Sequence, residues 1–195
     1  MQIVIRLKSI PILLLFCLFL FKCDFQPHTP PSHEQWIEFK KLPGNEKKIL
    51  AFEVFLRKHK LLNVVPIEQL LRQGTDWRQT KARPFAIPPS TLWPNILPTL
   101  RIVRDLILPQ FGPVTVVSGF RESEYNEKAG GAKSSRHLLF SALDMIPDKE
   151  TNRLFLKNSL LKLWQNKGPD QKIGLGLYSR NRFHIDTNGF RKWKK

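Results

Sequence analysis

Cysteine is scarce in this sequence, which limits how the fold can be stabilised. The chain of 195 residues contains two cysteines, Cys17 and Cys23, and both lie in or beside the apolar segment near the N-terminus. The rest of the chain therefore has no internal disulfide, which excludes the disulfide-stabilised class of small secreted domains. The length is sufficient for one globular domain, so stability has to come from its core or from a metal.

A hydrophobic run long enough to span a membrane is also absent. The apolar stretch at residues 10–21 is interrupted by Pro11 and Cys17, and about twelve residues are typical of a secretory signal peptide rather than a membrane span. Arg6 and Lys8 supply the basic residues that precede such a segment. No clear cleavage site follows, so an uncleaved N-terminal anchor is the alternative.

An export signal places the protein in the periplasm or the cell envelope. If the anchor is retained, the N-terminal segment also attaches the protein to the membrane. Cys23 follows Leu20 by three residues, which leaves lipidation open, although Lys22 fits a lipoprotein signal poorly.

Acidic residues are few relative to basic ones. The chain has 16 Asp and Glu against 32 Lys and Arg, a formal net charge of +16. Residues 1–23 hold three basic residues and no acid, so the remainder carries 16 − 3 = +13. Such a charge favours nucleic acid, acidic lipids or an anionic cell-wall polymer as partner, and export argues against nucleic acid. For scattered lysines, solubility alone is a sufficient explanation.

The first half of the chain is predicted to be helical. Apolar periodicity predicts a helix over residues 34–60 with a break at Pro43–Gly44, and Pro66 opens a short second helix. Residues 80–90 are predicted to form a loop. A further helix is predicted from about residue 95 to residue 108.

The second half contains the predicted strands, with one amphipathic helix at residues 150–166 between them. The strands are residues 114–119, 140–146, 172–179 and 182–188, the last two forming a hairpin. This order of elements predicts an α+β fold with a small, largely antiparallel sheet flanked by helices. We divide the chain into a signal peptide or anchor, a polar linker, a helical N-terminal extension and a C-terminal domain, at residues 1–23, 24–33, 34–88 and 89–195.

Two of the five histidines stand out from the others. His28 and His33 lie in the linker, and His59 lies at an exposed helix end. By contrast, His137 and His184 border or occupy predicted strands, and each has an aspartate at short range. These two are the candidate ligands of a metal ion.

A catalytic zinc needs three protein ligands and one open position. His137, Asp144 and His184 would supply two imidazoles and a carboxylate, which suit zinc. The glycine pair Gly130–Gly131 would give the loop before His137 the freedom to bring the side chains together. From spacing alone, the alternative stays open that His137 is a loop residue and Asp144 an acid near a turn.

Two stretches of the sequence resemble a known family. SGFRESEYNEKAGGAKSSRHLLFSALDM, followed by GLGLYSRNRFHIDTNGFRKW, is similar to the zinc D-alanyl-D-alanine carboxypeptidase family of peptidoglycan peptidases, and nearest to its small bacterial periplasmic branch. The combination of SGFR, GGA-x-x-S-x-H, an aspartate after six further residues and a late FHID is specific. The resemblance extends from about Gly112 to Trp193.

The resemblance implies a set of roles for these residues. It implies one zinc ion per chain held by His137, Asp144 and His184, on a small α+β fold whose sheet carries the site. It also implies that Arg121 faces the metal, where a guanidinium can stabilise the oxyanion formed by attack on an amide. From the residues alone, the preferred interpretation of Arg121 is an arginine at a helix start in a surface salt bridge.

One departure from the family concerns the general base that takes a proton from the attacking water. Much of the family has Glu or Asp three residues before the second histidine, where this chain has Asn181, and another branch has a histidine at the position of Arg182. Asp186 can share a face with His184, because residues i and i+2 of a strand do so. It is therefore predicted either to be the base, to orient His184, or to bond the turn backbone after it.

A second departure lies between His137 and Asp144. The family often has a glycine in this interval, where the chain has Phe140–Ser141. We expect this difference to change the shape of the pocket more than the ligation.

The leading interpretation is a zinc-dependent carboxypeptidase or endopeptidase acting on peptidoglycan stem peptides. Two alternatives remain. One is an inactive, zinc-holding module that binds the cell wall, suggested by Asn181. The other is an exported basic protein that binds anionic lipid or polysaccharide without a metal. The sequence makes no prediction of the oligomeric state.

Overall fold

The computed structural model describes residues 29–194. The predicted signal peptide or anchor and the first part of the predicted linker lie outside the described residues. Within that range, no helix is both long enough and apolar enough to cross a lipid bilayer.

The helical N-terminal region has the break that the sequence predicts. Helix α1 (His33–Lys41) is capped by Ser32, which accepts a hydrogen bond from the backbone of Gln35 while the Gln35 side chain bonds back to Ser32. Gly44 then takes a left-handed conformation with φ 78°, and helix α2 (Asn45–Lys58) starts directly after it.

A short helix and a long irregular helical segment lead into the sheet. The short one is α3 (Ile67–Leu70). Where the sequence predicts one helix from about residue 95 to residue 108, the structure has a longer segment made of a 3₁₀ turn, two α-helical parts and a π-helical turn between those parts. In chain order these are Ser90–Asn95, α4 (Ile96–Ile102), Val103–Ile107 and α5 (Leu108–Phe111).

Five strands form one sheet in the order β1-β2-β4-β3-β5. They are β1 (Val114–Ser118), β2 (Ala142–Pro147), β3 (Gly174–Leu177), β4 (Phe183–Asp186) and β5 (Arg191–Lys194). All neighbouring pairs are antiparallel except β3 and β5, which are parallel. The predicted α+β class with a largely antiparallel sheet is confirmed.

The sequence did not predict two of the elements, and it set one helix too short. Helix α6 (Ser123–Lys128) has only 6 residues, about 1.7 turns, and β5 has a single apolar residue, Trp193. Both elements are too short for apolar residues to recur with the period of a helix or a strand. Helix α7 (Arg153–Gln171) extends beyond the predicted end at residue 166. It continues through Gly168 and Pro169, two residue types that usually mark the end of a helix.

The register of the sheet brings together the residues that the sequence singled out. Asp144 of β2 lies directly opposite His184 of β4, and Ser118 of β1 lies opposite Asp144 on the other side. Gly174 of β3 faces Asp186, where a Cβ would come within 2.3 Å of the Asp186 carboxylate. The glycine at this position therefore makes room for a buried acid beside the centre of the sheet.

One hydrophobic core connects the N-terminal helices to the sheet. Phe52 of α2 is fully buried, and its ring lies 5.7 Å from that of Phe140, in the loop that follows His137. The Phe140 ring also contacts Phe120, at 6.0 Å. The helical region is thus packed against the segment that carries a candidate metal ligand.

Gly119→Ala is expected to destabilise the protein by roughly 3 kcal/mol, through overpacking. A Cβ on Gly119 would lie 2.0 Å from the carbonyl oxygen of Leu70, and neither backbone can move without disturbing the contacts between α3 and β1. Urea unfolding followed by tryptophan fluorescence measures the effect. Gly44→Ala is the control, because its Cβ meets open space and only the positive φ costs about 1 kcal/mol. Equal losses for the two variants would contradict the proposed close approach.

Candidate metal centre

The SGFR segment holds His137 at two points. The His137 ring donates from Nδ1 to the carbonyl oxygen of Gly119 at 2.7 Å, and the backbone N–H of Arg121 donates to the carbonyl oxygen of His137 at 3.1 Å. A carbonyl can only accept, so Nδ1 carries the proton and Nε2 carries the lone pair of the neutral ring. Burial, and then the charge of Arg121, lower the pKa of His137 to about 4, which keeps the ring neutral near pH 7.

The antiparallel pairing of β2 and β4 brings Asp144 and His184 together. His184 Nδ1 lies 2.8 Å from Asp144 Oδ1, and His137 Nε2 lies 3.3 Å from the same oxygen. The two imidazole nitrogens are 3.2 Å apart. All three side chains are buried.

These three atoms have the spacing of one face of a zinc coordination tetrahedron. Zinc bonds of about 2.0–2.2 Å to nitrogen and oxygen place neighbouring ligands about 3.3 Å apart, close to the three distances above. Donor chemistry agrees, since two imidazoles and one carboxylate are suited to zinc. The structure therefore brings together the three side chains that the sequence proposed as ligands, His137, Asp144 and His184, in a group that could hold a metal ion.

Arg121 approaches the same carboxylate from the other side. Its Nη2 donates to Asp144 Oδ2 at 3.0 Å, and its Nε donates to Ser118 Oγ at 2.8 Å and to the carbonyl oxygen of Gln73 at 3.0 Å. The side chain is 13% exposed, so this ion pair does not lie at the surface. Arg121 fixes the free oxygen of Asp144 and places a guanidinium beside the candidate metal position.

Gln73 organises the site without touching the three ligands, and sequence reasoning missed it. Its side chain is fully buried, accepts a hydrogen bond from the backbone of Glu122 and donates to the carbonyl oxygen of Arg83. Its own carbonyl oxygen accepts from Ser118 and Arg121. A single glutamine after a short helix gives no signal of such a role in one sequence.

Asp186 lies on the far edge of the His184 ring. Its Oδ2 is 2.9 Å from His184 Nε2, whereas Asp144 is at Nδ1. The Asp186 carboxylate also accepts from the backbone of Asn188 and forms an ion pair with both terminal nitrogens of Arg191. Of the three roles that the sequence left open, this geometry fits orienting His184 and bonding the turn.

The two carboxylates at opposite edges of the His184 ring influence its charge. Burial lowers the pKa of His184, but the hydrogen bonds to Asp144 and Asp186 outweigh it, so the pKa is raised above the ordinary value of 6.5. Asp144 shows the reverse effect: burial raises its pKa, but His137 and His184 bring it well below 3.8. The site therefore presents a carboxylate that stays ionised and attracts a cation.

The structure shows what the residues contact at the positions where the chain departs from the resembled family. Asn181 directs its amide to the carbonyl oxygen of Thr151. Arg182 lies beside Asp144, with Nη2 3.2 Å from Oδ2. Phe140 adopts a left-handed backbone with φ 51°, a conformation that glycine takes more readily, and its ring is fully buried.

A cavity of about 670 Å³ opens above the His137, Asp144 and His184 side chains. Four arginines line it, namely Arg121, Arg136, Arg182 and Arg191. Among the described residues, Asp76 and Asp144 are the two acids in its wall. The aromatic residues Tyr178 and Trp193 are half-buried and line this cavity as well.

Comparison with known protein families gives one match. Residues 65–186 match the family model described as Peptidase M15, over more than half of the chain. The matched range contains the three candidate ligands, Arg121 and Asp186, and it begins inside the segment predicted as the helical extension. Neither the comparison with curated proteins nor that with solved structures gave a significant match.

Proposed function

Because the chain belongs to the Peptidase M15 family, we propose that it is a zinc-dependent peptidase that hydrolyses peptide bonds in peptidoglycan stem peptides. The observation that carries the proposal is the triangle of His137 Nε2, Asp144 Oδ1 and His184 Nδ1 at the base of an open cavity. Three protein ligands leave a fourth position for water or substrate, as a catalytic zinc site requires.

The chain's own residues prepare the site for this reaction. A zinc ion bound here supplies Lewis-acid polarisation of the scissile carbonyl and activates a water molecule for attack. Gly119 and Asp186 hold the two imidazoles by their outer nitrogens, which keeps the inner nitrogens aimed at one point. Arg121 stands beside that point and stabilises the negative charge that develops on the carbonyl oxygen.

The proposal extends to location and substrate. We propose that the N-terminal segment exports the chain and that it acts in the periplasm or the cell envelope, attached to the membrane if the segment is retained. The net charge of +16 supports an anionic substrate. Stem peptides carry free carboxylates and fit that requirement.

Digestion of purified cell wall followed by muropeptide mass spectrometry tests the function. Product release is expected from the zinc-loaded protein, with loss in a chelator and recovery after zinc is returned. The mass of the products reports which bond is cut. Absence of product under all three conditions would contradict a peptidase.

An inactive wall-binding module is the second candidate, and the position of Asn181 favours it. The residue that stands where much of the family has an acid is an amide turned towards Thr151. If Asp186→Ala and the unaltered protein bind cell wall equally and neither releases product, the module is the better account. A protein without bound metal after mild preparation would instead point to a metal-independent binder of anionic lipid or polysaccharide.

The role of Asp186 can be separated from that of a proton acceptor. We expect Asp186→Asn to weaken zinc binding roughly 10- to 100-fold, because the outer nitrogen of His184 loses its carboxylate partner. Asp76 lines the cavity, and we propose its carboxylate as the general base that takes a proton from the attacking water. Asp76→Asn should then keep its zinc and lower kcat by about 100-fold or more.

Zinc competition with a chromogenic chelator and kcat at saturating zinc are the two measurements. The opposite pattern would identify Asp186 as the base, namely full zinc affinity with a large loss of kcat in Asp186→Asn and no effect in Asp76→Asn. Glu124→Gln is the control, because Glu124 is an exposed acid that pairs with Lys128.

A further inference from the structure

The structure contains an arginine beside the candidate metal position whose hydrogen-bonding capacity is largely unused. Arg182 immediately precedes β4 and lies two residues before His184, so the two side chains share a face. Its Nη2 lies 3.2 Å from Asp144 Oδ2, which is long for a charge-assisted hydrogen bond. Within the described part of the chain, no acceptor completes a hydrogen bond with its buried Nε.

The other arginines of the site are engaged differently. Arg121 makes three hydrogen bonds, and Arg191 binds both oxygens of Asp186. The charge of Asp144 is already paired with Arg121 and is shared with the two histidines. Arg182 is therefore not needed to neutralise Asp144, and the exposed part of its guanidinium can donate to a ligand in the cavity.

The ring of Tyr178 orients this guanidinium. The Arg182 guanidinium carbon lies 4.8 Å from the centre of the Tyr178 ring, a distance typical of a cation–π contact. Both side chains line the cavity above the ligands, and the Arg182 side chain is 30% exposed. A planar donor fork held in a cavity wall matches the geometry of a carboxylate.

We propose that Arg182 binds a carboxylate on the carbon that bears the leaving nitrogen of the scissile amide. This inference rests on the proposed peptidase function. In such a substrate only the amide nitrogen and one carbon separate the scissile carbonyl carbon from the carboxylate carbon. A carbonyl held at the metal position therefore brings that carboxylate next to a guanidinium that lies against the metal-binding aspartate.

Two kinds of peptide substrate have a carboxylate on the carbon that bears the leaving nitrogen. One is the C-terminal residue of a chain, whose removal is carboxypeptidase activity. The other is a crosslink in which the nitrogen is borne by a carbon that also carries a carboxylate. Arg182 therefore makes the enzyme select the group next to the leaving nitrogen, and either source satisfies it.

Four peptides, in two pairs of acid and amide, test the inference. The first is a stem pentapeptide that ends in D-Ala-D-Ala as a free acid with its internal carboxylate amidated. The second is the same peptide with a C-terminal amide. The third is a crosslinked dimer with a carboxylate beside the leaving nitrogen, compared with the dimer in which that carboxylate is amidated. Each is assayed for kcat/KM and, by tryptophan fluorescence, for binding to the zinc-loaded protein.

The unaltered protein is expected to prefer acid over amide by roughly 10- to 100-fold, the range of a hydrogen-bonded charge. In Arg182→Gln this ratio should fall to near one, mainly through KM, and Arg182→Lys should retain part of it. Arg136→Gln is the matched control, since Arg136 is an arginine of the same cavity with no assigned contact to Asp144. It should leave the ratio unchanged.

Three results would overturn the inference. The first is equal kcat/KM for the acid and amide peptides in the unaltered protein. The second is an equal loss of kcat/KM for both peptides of a pair in Arg182→Gln. The third is the same change of the acid-to-amide ratio in Arg136→Gln as in Arg182→Gln. Preference in only one of the two peptide pairs identifies which source of the carboxylate is used. If no peptide is cut, the proposed function fails, and the binding preference still decides the role of Arg182.

Discussion

His184→Ala is expected to abolish zinc binding and peptide hydrolysis together, with activity reduced by at least about 1,000-fold. The substitution removes one of three ligands and leaves the buried Asp186 carboxylate without its imidazole partner. Two ligands cannot fix the geometry of a catalytic zinc site. Metal analysis of the purified variant and the muropeptide assay measure the two losses.

His184 is also expected to set the pH dependence of zinc binding. The pKa of His184 lies above its ordinary value of 6.5 because its hydrogen bonds to Asp144 and Asp186 outweigh burial. Below that raised pKa zinc has to displace a proton from the ring, so zinc affinity falls as the pH is lowered. Zinc competition between pH 5 and pH 8 is the direct measurement, and proton release accompanies binding at the acidic end.

His33→Ala is the control for the His184→Ala prediction. His33 is a histidine in the described region with a side chain that is 76% exposed and lies 3.6 Å from Glu68. Its replacement should leave zinc content and activity unchanged. The proposed site would be contradicted if His184→Ala still bound one zinc ion per chain. It would also be contradicted if that variant hydrolysed the peptide without bound zinc.

Arg121→Gln is expected to keep its zinc and lose about 100- to 1,000-fold in kcat. The three ligand atoms are on His137, Asp144 and His184, so the metal position does not depend on a bond to Arg121. What disappears is a fixed positive charge beside the carbonyl oxygen. Because that charge matters most in the transition state, kcat should fall much more than KM rises.

Zinc content, thermal stability and steady-state kinetics have to be measured on the same preparation of Arg121→Gln. Arg104→Gln is the matched control, since Arg104 pairs with Asp105 at the exposed surface. If zinc and stability are lost in parallel with kcat, Arg121 has a structural role through Gln73 and Ser118. A loss below about threefold would place it outside the reaction.

Local pattern was enough to predict the elements that carry the site. Short apolar segments next to polar loops and turns predict β2 and β4, and the two-residue period of a strand puts Asp186 on the same side as His184. The pattern also predicts the hairpin of β3 and β4, which the structure confirms, but it does not specify that β2 lies beside β4. Asp144 meets His184 because β2 pairs with β4, and β5 pairs parallel to β3 at the edge of the sheet although it contributes only one apolar residue.

Side-chain rotamers and distant contacts were also beyond the sequence. Whether Asp186 acts on Nε2 of His184 or faces the metal position depends on which way the imidazole points, and a single sequence does not encode this in any local pattern. Gln73 is separated from Arg121 by 48 positions along the chain. Its role arises only when the chain between them folds back.

The left-handed Phe140 sets a limit on how far the protein can be trimmed. Its backbone conformation costs about 1 kcal/mol relative to glycine, and the burial of its ring against Phe52 of α2 compensates for this. Phe140 donates its N–H to the carbonyl oxygen of His137 at 3.2 Å, so a shift of one moves the other. A fragment cut at the start of the family match would retain the three candidate ligands and Arg121, yet it would lack Phe52, whose ring packs against Phe140 in the loop after His137. The part of the chain that holds the candidate site in shape is therefore larger than the segment matched by the family model.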